Sequence, residues 1–233
     1  MLLGRGIMIN WNNVAPENRP AYDAWHCHEH MVGRVAIPGF LRGRRYIAAF
    51  PEKATRGFLT MYEVADLDVL TGADYLAKAN SPSPLTLRTT PLVHDSVRGL
   101  SRVRASFGPA TGGCALTLRF GPQAGREAAL EKHLAQQALP QIAQRVDIAG
   151  AHLIVADPAA SAMTPVERQG RPTTIPNWIV LVEGFTLAAV AHAGEALLSD
   201  TSLAANGCAA GVERDVYMLQ FMVNKSQPCA AAT

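Results

Sequence analysis

The densest chemistry in the chain is Tyr22-Asp23-Ala24-Trp25-His26-Cys27-His28-Glu29-His30, which gathers three of the seven histidines and two carboxylates into one short run. A carboxylate beside an imidazole can act as general acid and base, each adjusting the proton affinity of the other, and Glu29, His30 and His26 are placed for that work. On a helical wheel at about 100° per residue, Tyr22, Trp25, Val32, Val35 and Ala36 form the apolar stripe expected to face a sheet, with His28 and Glu29 inside its arc. A carboxylate buried beside Trp25 must be paired, protonated or functional. His26 and His30, four residues apart, share a flank next to it. Two other readings stay open. The run could be a solvated helix edge in which Glu29 pairs with Arg34, Arg44 or Arg45. It could also offer His26, His30 and Glu29 to a metal, but no further donor at a matched spacing completes a site, and no metal is expected.

The elements that position this run are legible in the periodicity. Alternation over Ile7, Ile9 and Trp11 predicts a strand, and a helix follows from Pro16–Pro20 through Val35 to a stop at Pro38-Gly39. Strands are predicted over Phe40–Ala49 and Phe58–Val64, then a helix over Asp66–Ala79, the turn-rich Asn80–Pro84, and a fourth strand between Thr89 and Ala105. This order is β-α-β-β-α-β. After the breakers of 107–113 the pattern returns: strand Cys114–Phe120, then a helix in which Leu130, Leu134, Ala138, Ile142 and Val146 recur every four residues. Strands Ala151–Ala156 and Asn177–Glu183, helix Thr186–Leu198 and strand Val212–Val223 complete it. Tyr62-Glu63-Val64 and Val182-Glu183-Gly184 anchor the register between halves, and a mirrored glutamate reads as structural.

The chain therefore reads as α+β, with two tandem ferredoxin-like units, 1–106 and 114–224, a linker at 107–113 and a flexible tail at 225–233. Each four-stranded sheet would carry both helices on one face and leave the other bare. Pairing the bare faces predicts a pseudo-symmetric α+β barrel with a ligand cavity between the sheets. The first unit should hold the site, because Gln136-Gln137-Ala138 stand where it has His28-Glu29-His30. Tyr22, Trp25, Tyr46 and Tyr62 are candidates to line the pocket, and Arg45, with Arg42 and Arg44, to meet a carboxylate-bearing ligand or else to form a charged strand surface. His94, His133, His152 and His192 receive no role.

Composition narrows the function classes. The 233 residues carry a net charge of +2, which leaves no electrostatic footprint for nucleic acid. No apolar run approaches the ~20 residues of a membrane span, and Met1–Asn10 is too short for a secretory signal, so a cytoplasmic protein is expected. Cys27, Cys114, Cys208 and Cys229 form no Cys-x-x-Cys pair and read as reduced thiols. There is no dinucleotide loop, P-loop, nucleophile elbow or His-Glu-x-x-His, and no cofactor is expected.

Trp25, Glu29, His30, Arg34, Pro38-Gly39-Phe40, Arg44-Arg45-Tyr46, Tyr62-Glu63 and Pro82-Ser83-Pro84-Leu85-Thr86 together resemble the EthD-like members of the dimeric α+β barrel superfamily over residues 7 to 105. The chain departs from that pattern at His26, at Val32-Gly33 and at Leu85. The resemblance implies a ferredoxin-like fold, a small apolar cavity and assembly as a homodimer. It also implies a cofactor-independent isomerase, lyase, cyclase or oxygenase acting on a small aromatic or lactone-like metabolite, with Glu29 and His30 as acid and base. The competing expectation is a non-catalytic or stress-associated ligand-binding protein, and more remotely a haem protein ligated through His30 or His94.

Overall fold

The computed structural model describes residues 1–195 and 197–225, and residues 226–233 of the expected tail, with Cys229, lie outside the described residues. In chain order, β1 (Gly6–Val14) leads through a short turn into α1 (Arg19–Trp25), one π turn (His26–His30) and α2 (Met31–Val35). β2 (Phe40–Ala48), β3 (Phe58–Val64), α3 (Ala73–Asn80), α4 (Pro84–Thr89) and β4 (Val93–Phe107) follow. The next elements are β5 (Cys114–Phe120), α5 (Glu127–His133), a second π turn (Leu134–Ala138), α6 (Leu139–Ala143) and β6 (Ile148–Ala156). The chain continues through α7 (Pro158–Ser161), β7 (Thr173–Thr174), β8 (Trp178–Gly184), α8 (Leu187–Glu195), α9 (Asp200–Ala205) and β9 (Glu213–Asn224). The helix expected over 66–79 is broken: a tight turn at Leu67–Leu70, capped by the Asp66 carboxylate, precedes α3.

Eight strands close into one antiparallel barrel in the order β1-β3-β2-β9-β5-β8-β6-β4, with β4 returning to β1, and β7 adds a short parallel strip to β4. Closure removes every free edge among the eight. The seams between the halves are β2 on β9 and β4 on β6, so the barrel closes within a single chain. Strand order is β4-β1-β3-β2 in the first half and β9-β5-β8-β6 in the second.

Alternation along each strand sends one set of side chains inward and the other under the helices. Inward-facing Ile7, Ile9, Trp11, Leu59, Met61, Ile179 and Leu181 fill the barrel as a continuous core. Charged residues pack at one end of it: Arg42 donates to Glu63 from Nε and Nη2 at 2.9 and 2.8 Å, Arg44 pairs with both Glu63 and Glu183, and His152 Nε2 lies 3.3 Å from Glu183. Burial pushes the Glu183 carboxyl up, but Arg44 and His152 more than offset it and hold its pKa down at about 2. Among the described residues the interior is packed with side chains, where a cavity between the sheets is expected from the sequence. Tyr46 belongs to this core and receives a 2.8 Å hydrogen bond from Arg44, so it lies away from any pocket. The three arginines of β2 form no charged surface: each is buried and ion-paired, Arg45 with Asp23.

Candidate functional site

The cavity lies on the other face of the first half's sheet, between β1, β3 and β4 and the α1–α2 helix. Its volume is about 70 Å³, and it shares Thr90, Val93, Ser96, Glu167 and Arg171 with an adjoining open groove of about 880 Å³. The inner space exceeds the ~15 Å³ that one water needs, so it holds several waters or the end of a molecule seated in the adjoining groove.

The helix wall is set by the π turn. A π turn holds an extra residue, which advances the downstream helix by about one residue's rotation. The faces expected from a regular wheel hold for Tyr22, Trp25 and Val35 and shift at other positions beyond the π turn. Met31 and Arg34 are buried, whereas Val32 and Ala36, expected in the stripe, are exposed. The series that points at the sheet is Tyr22, His26, His30 and Arg34, one residue in four, and all four line the cavity. Their rings stack in sequence: Tyr22 on His26 with centroids 5.3 Å apart, His26 beside His30 at 5.6 Å, and Trp25 against His30 at 4.3 Å. The C-terminal stop is Gly39, whose φ of +82° suits a glycine.

Both imidazoles are held neutral. Burial, reinforced by Arg45 for His26 and by Arg34 for His30, drives each well below the ordinary histidine value. Neutral imidazole is the form that accepts a proton. Tyr62, on the sheet wall, is pushed up by burial and stays a phenol.

The cavity also gathers polar atoms that the protein leaves without a partner. Asn10 Oδ1, Asn12 Nδ2, His26 Nδ1, Arg34 Nη1, Thr60 Oγ1, Tyr62 Oη and Arg171 Nε are all buried and unpaired, and all seven residues line it. Leaving one such group unsatisfied costs about 1–3 kcal/mol. Groups of this kind are the ones that a polar ligand or ordered water satisfies, which makes this cavity the candidate site.

Of the residues proposed from sequence, Tyr22, Trp25, His26, His30 and Tyr62 meet at this cavity. Glu29, Arg45 and Tyr46 do not line it. Glu29 is half-buried on the next face of the π turn, where it accepts hydrogen bonds from Ser83 and, at 3.2 Å, from Thr86. Thr86 in turn accepts from Trp25 Nε1 at 3.0 Å, so Glu29 ties the start of α4 to the cavity wall. None of the three arginines offered for Glu29 pairs with it, since Arg34 is engaged by Glu167. Arg45 lies over Tyr22 at 4.6 Å from the ring centroid and braces the wall from behind.

Sequence reading missed Asn10, Asn12 and Thr60, although polar residues on the strand face that helices must cover were a usable signal. It also missed Arg98, Glu167, Arg168 and Arg171. The last three come from the second half, between α7 and β7, and no local pattern announces them. Among the described residues no group of three or more His, Cys, Asp or Glu side chains is arranged to hold a metal ion. Haem does not fit the residues present. The space beside His30 is too small for a macrocycle, His94 is a half-exposed partner of Asp95, and the equivalent interface of the second half is filled by apolar side chains.

Among the described residues no helix is long and apolar enough to cross a membrane. No protein-family model and no curated protein matches this sequence. Solved structures do. A protein described as anthrone oxidase-like superposes with a TM-score of 0.66 at 10% identity, over 98% of this chain and 96% of that one. A protein from Fusobacterium nucleatum described as a monooxygenase gives 0.62 at 8% identity over 96% of each chain, and one described as a chlorite dismutase gives 0.55 at 10% over 94% and 96%. These neighbours are proteins of dimeric α+β barrel type, and the closed eight-stranded antiparallel barrel with its outer helices gives this chain the same fold.

Proposed function

We propose that the chain is a small-molecule enzyme of oxygenase type, acting without a cofactor on a small aromatic or lactone-like metabolite held between the first-half sheet and its helix. The observation that carries this reading is the cavity in which two neutral imidazoles, His26 and His30, meet a phenol and a set of unpaired hydrogen-bonding groups. Neighbours described as a monooxygenase and as anthrone oxidase-like support the oxygenase class.

The chemistry is that of a carbon acid meeting molecular oxygen. An imidazole takes a proton from an activated CH₂, and the unpaired donors of Tyr62, Asn12 and Thr60 stabilise the enolate oxygen that gains charge. The carbanion supplies the electrons that reduce O₂. The hydroperoxide formed then loses water: two C–H bonds and the O–O bond are broken, and one C=O bond and two O–H bonds form. Glu29 serves as a positioning residue through Thr86 and Trp25.

Oxygen uptake with anthrones, naphthols and enolisable lactones tests this. Turnover is expected with at least one class, and His30→Ala and His26→Ala should each lower kcat/KM by about 10²–10⁴ with the melting temperature moved by only a few degrees. Absence of oxygen uptake and substrate loss across the panel, or recovery of an unchanged ligand from the protein, would assign the cavity to binding alone.

The site-bearing half fits the reading of units 1–106 and 114–224 as a duplication. β1 and β5 start at Gly6 and Cys114 and the π turns at His26 and Leu134, in both cases 108 residues apart, which supports that reading. EthD-like kinship rests on the motifs of the first half alone. Assembly as a homodimer is part of the same proposal and is read by light scattering of the purified chain.

A further inference from the structure

Resting on the cavity assigned above, we propose that the substrate carries a carboxylate, bound at the cavity mouth by guanidinium groups that both halves supply, with its reactive carbon directed inward toward the histidines. Arg34 and Arg98 come from the first half and are each 3% exposed, while Arg168 and Arg171 arrive from the second half. All four line the cavity, and Glu167 is the one carboxylate there among the described residues. Glu167 is already engaged by Arg34. Arg98 donates to the Tyr75 hydroxyl at 3.0 Å and Arg168 to Thr173 Oγ1 at 2.6 Å, both neutral acceptors. Three partly or wholly buried guanidiniums thus face the cavity with no anion of their own among the described residues.

A cluster of like charges out of water is costly unless a counter-ion completes it. The electrostatics agree: burial together with Arg98 and Arg171 pulls Arg168 down to about 9, and Arg171 is lowered as well. Two guanidinium donors on this cavity, Arg34 Nη1 and Arg171 Nε, are buried and unpartnered among the described residues, and a carboxylate is the group such donors bind best. Arg171 also lines the outer groove, so an anion is attracted at the entrance before it reaches the inner space. On this reading the second half, whose described residues beneath its own first helix form an apolar core, contributes substrate recognition to the first.

The test is direct binding, measured by calorimetry on the full chain with 2-naphthoate, the neutral isostere 2-naphthamide, and 2-naphthyl phosphate. The carboxylate is expected to bind at least tenfold more tightly than the amide, and to weaken as salt is raised while the amide does not. Arg171→Gln and Arg168→Gln, at partly exposed positions that should fold, are each expected to erase most of that preference. Equal affinities, a preference that survives in both variants, tighter binding of the phosphate, or no saturable binding by any probe would overturn the assignment. Because the readout is binding, the two proposals can fail separately. A carboxylate preference without oxygen uptake removes only the oxygenase reading, and oxygen uptake with neutral substrates that is unchanged in Arg171→Gln removes only this one.

Discussion

Asn10, Asn12, Tyr22, His26, His30 and Arg34 line the polar cavity of the first half, and the residues 108 positions later are Leu118, Phe120, Leu130, Leu134, Ala138 and Ile142. On the neighbouring strands Thr60 and Tyr62 pair with Asn10 and Met8, as Val180 and Val182 pair with Leu118 and Leu116. Backbone path, strand order and even the π turn agree between the halves. Beneath the first helix of each half side-chain polarity differs, and it makes one helix–sheet interface a polar cavity and the other a core. The connection after the third element, by contrast, is longer in the second half, where it carries α7 and β7. The second interface contributes packing that an unsatisfied cavity cannot, and it leaves the first free to hold groups that lower stability and serve a ligand. The second half then returns to the site by a different route, through the arginines between α7 and β7.

The contrast can be broken most sharply at the equivalent positions 134 and 26. Leu134→Ala should cost about 2–5 kcal/mol in denaturant unfolding, because it opens a void in a close-packed interface, and leave kcat/KM of the folded protein unchanged. His26→Ala should do the reverse, with a small loss of stability and a large loss of turnover. Equal stability costs at the two positions would show that both interfaces are structural.

A second effect follows from protons. His26 and His30 are neutral in the folded state because their values are lowered, so below the ordinary histidine value of about 6.5 the unfolded chain binds more protons than the folded one. Stability should fall as pH drops below that point, and fall again from about 4.5 toward 2 as the Glu183 ion pairs are titrated. Thermal unfolding from pH 8 to 4 should show the first loss, and the double variant His26→Leu/His30→Ala, built from the second half's residues, should flatten it. In the free enzyme kcat/KM should stay level from pH 8 to below 6.5, since the base remains neutral there.

The smallest expected change has the opposite sign. Thr60→Val copies Val180, keeps the shape and removes an unpaired buried hydroxyl. It should raise stability by about 1 kcal/mol and weaken ligand binding, as calorimetry on the variant would show. A loss of stability instead would mean that Thr60 is satisfied by ordered water.

Much of the fold was legible because hydrophobic alternation and breakers are local signals: β3, β5 and β8 fall within a residue of their expected bounds. The site was half legible. Composition points to the α1–α2 helix, and Tyr22, Trp25, His26 and His30 line one cavity there. Glu29 was misplaced because a regular wheel was drawn through a π turn, although the recurrence of buried residues every four positions in the second half was the visible sign of that turn. Val146, which would have continued that series, is 93% exposed because the helix ends at Ala143.

What the amino-acid sequence determined by itself was the order of elements and the concentration of imidazoles on one helix, since period and composition are properties of neighbours along the chain. Tertiary structure decided the rest. Which sheet face is covered by helices and which closes into the barrel depends on pairing β2 with β9 and β4 with β6, contacts between residues far apart in sequence. Closure fills the interior, displaces the cavity to the helix side, and carries Arg168 and Arg171 across to it. No local pattern encodes that meeting, because the two sets of residues become neighbours only when the barrel is shut.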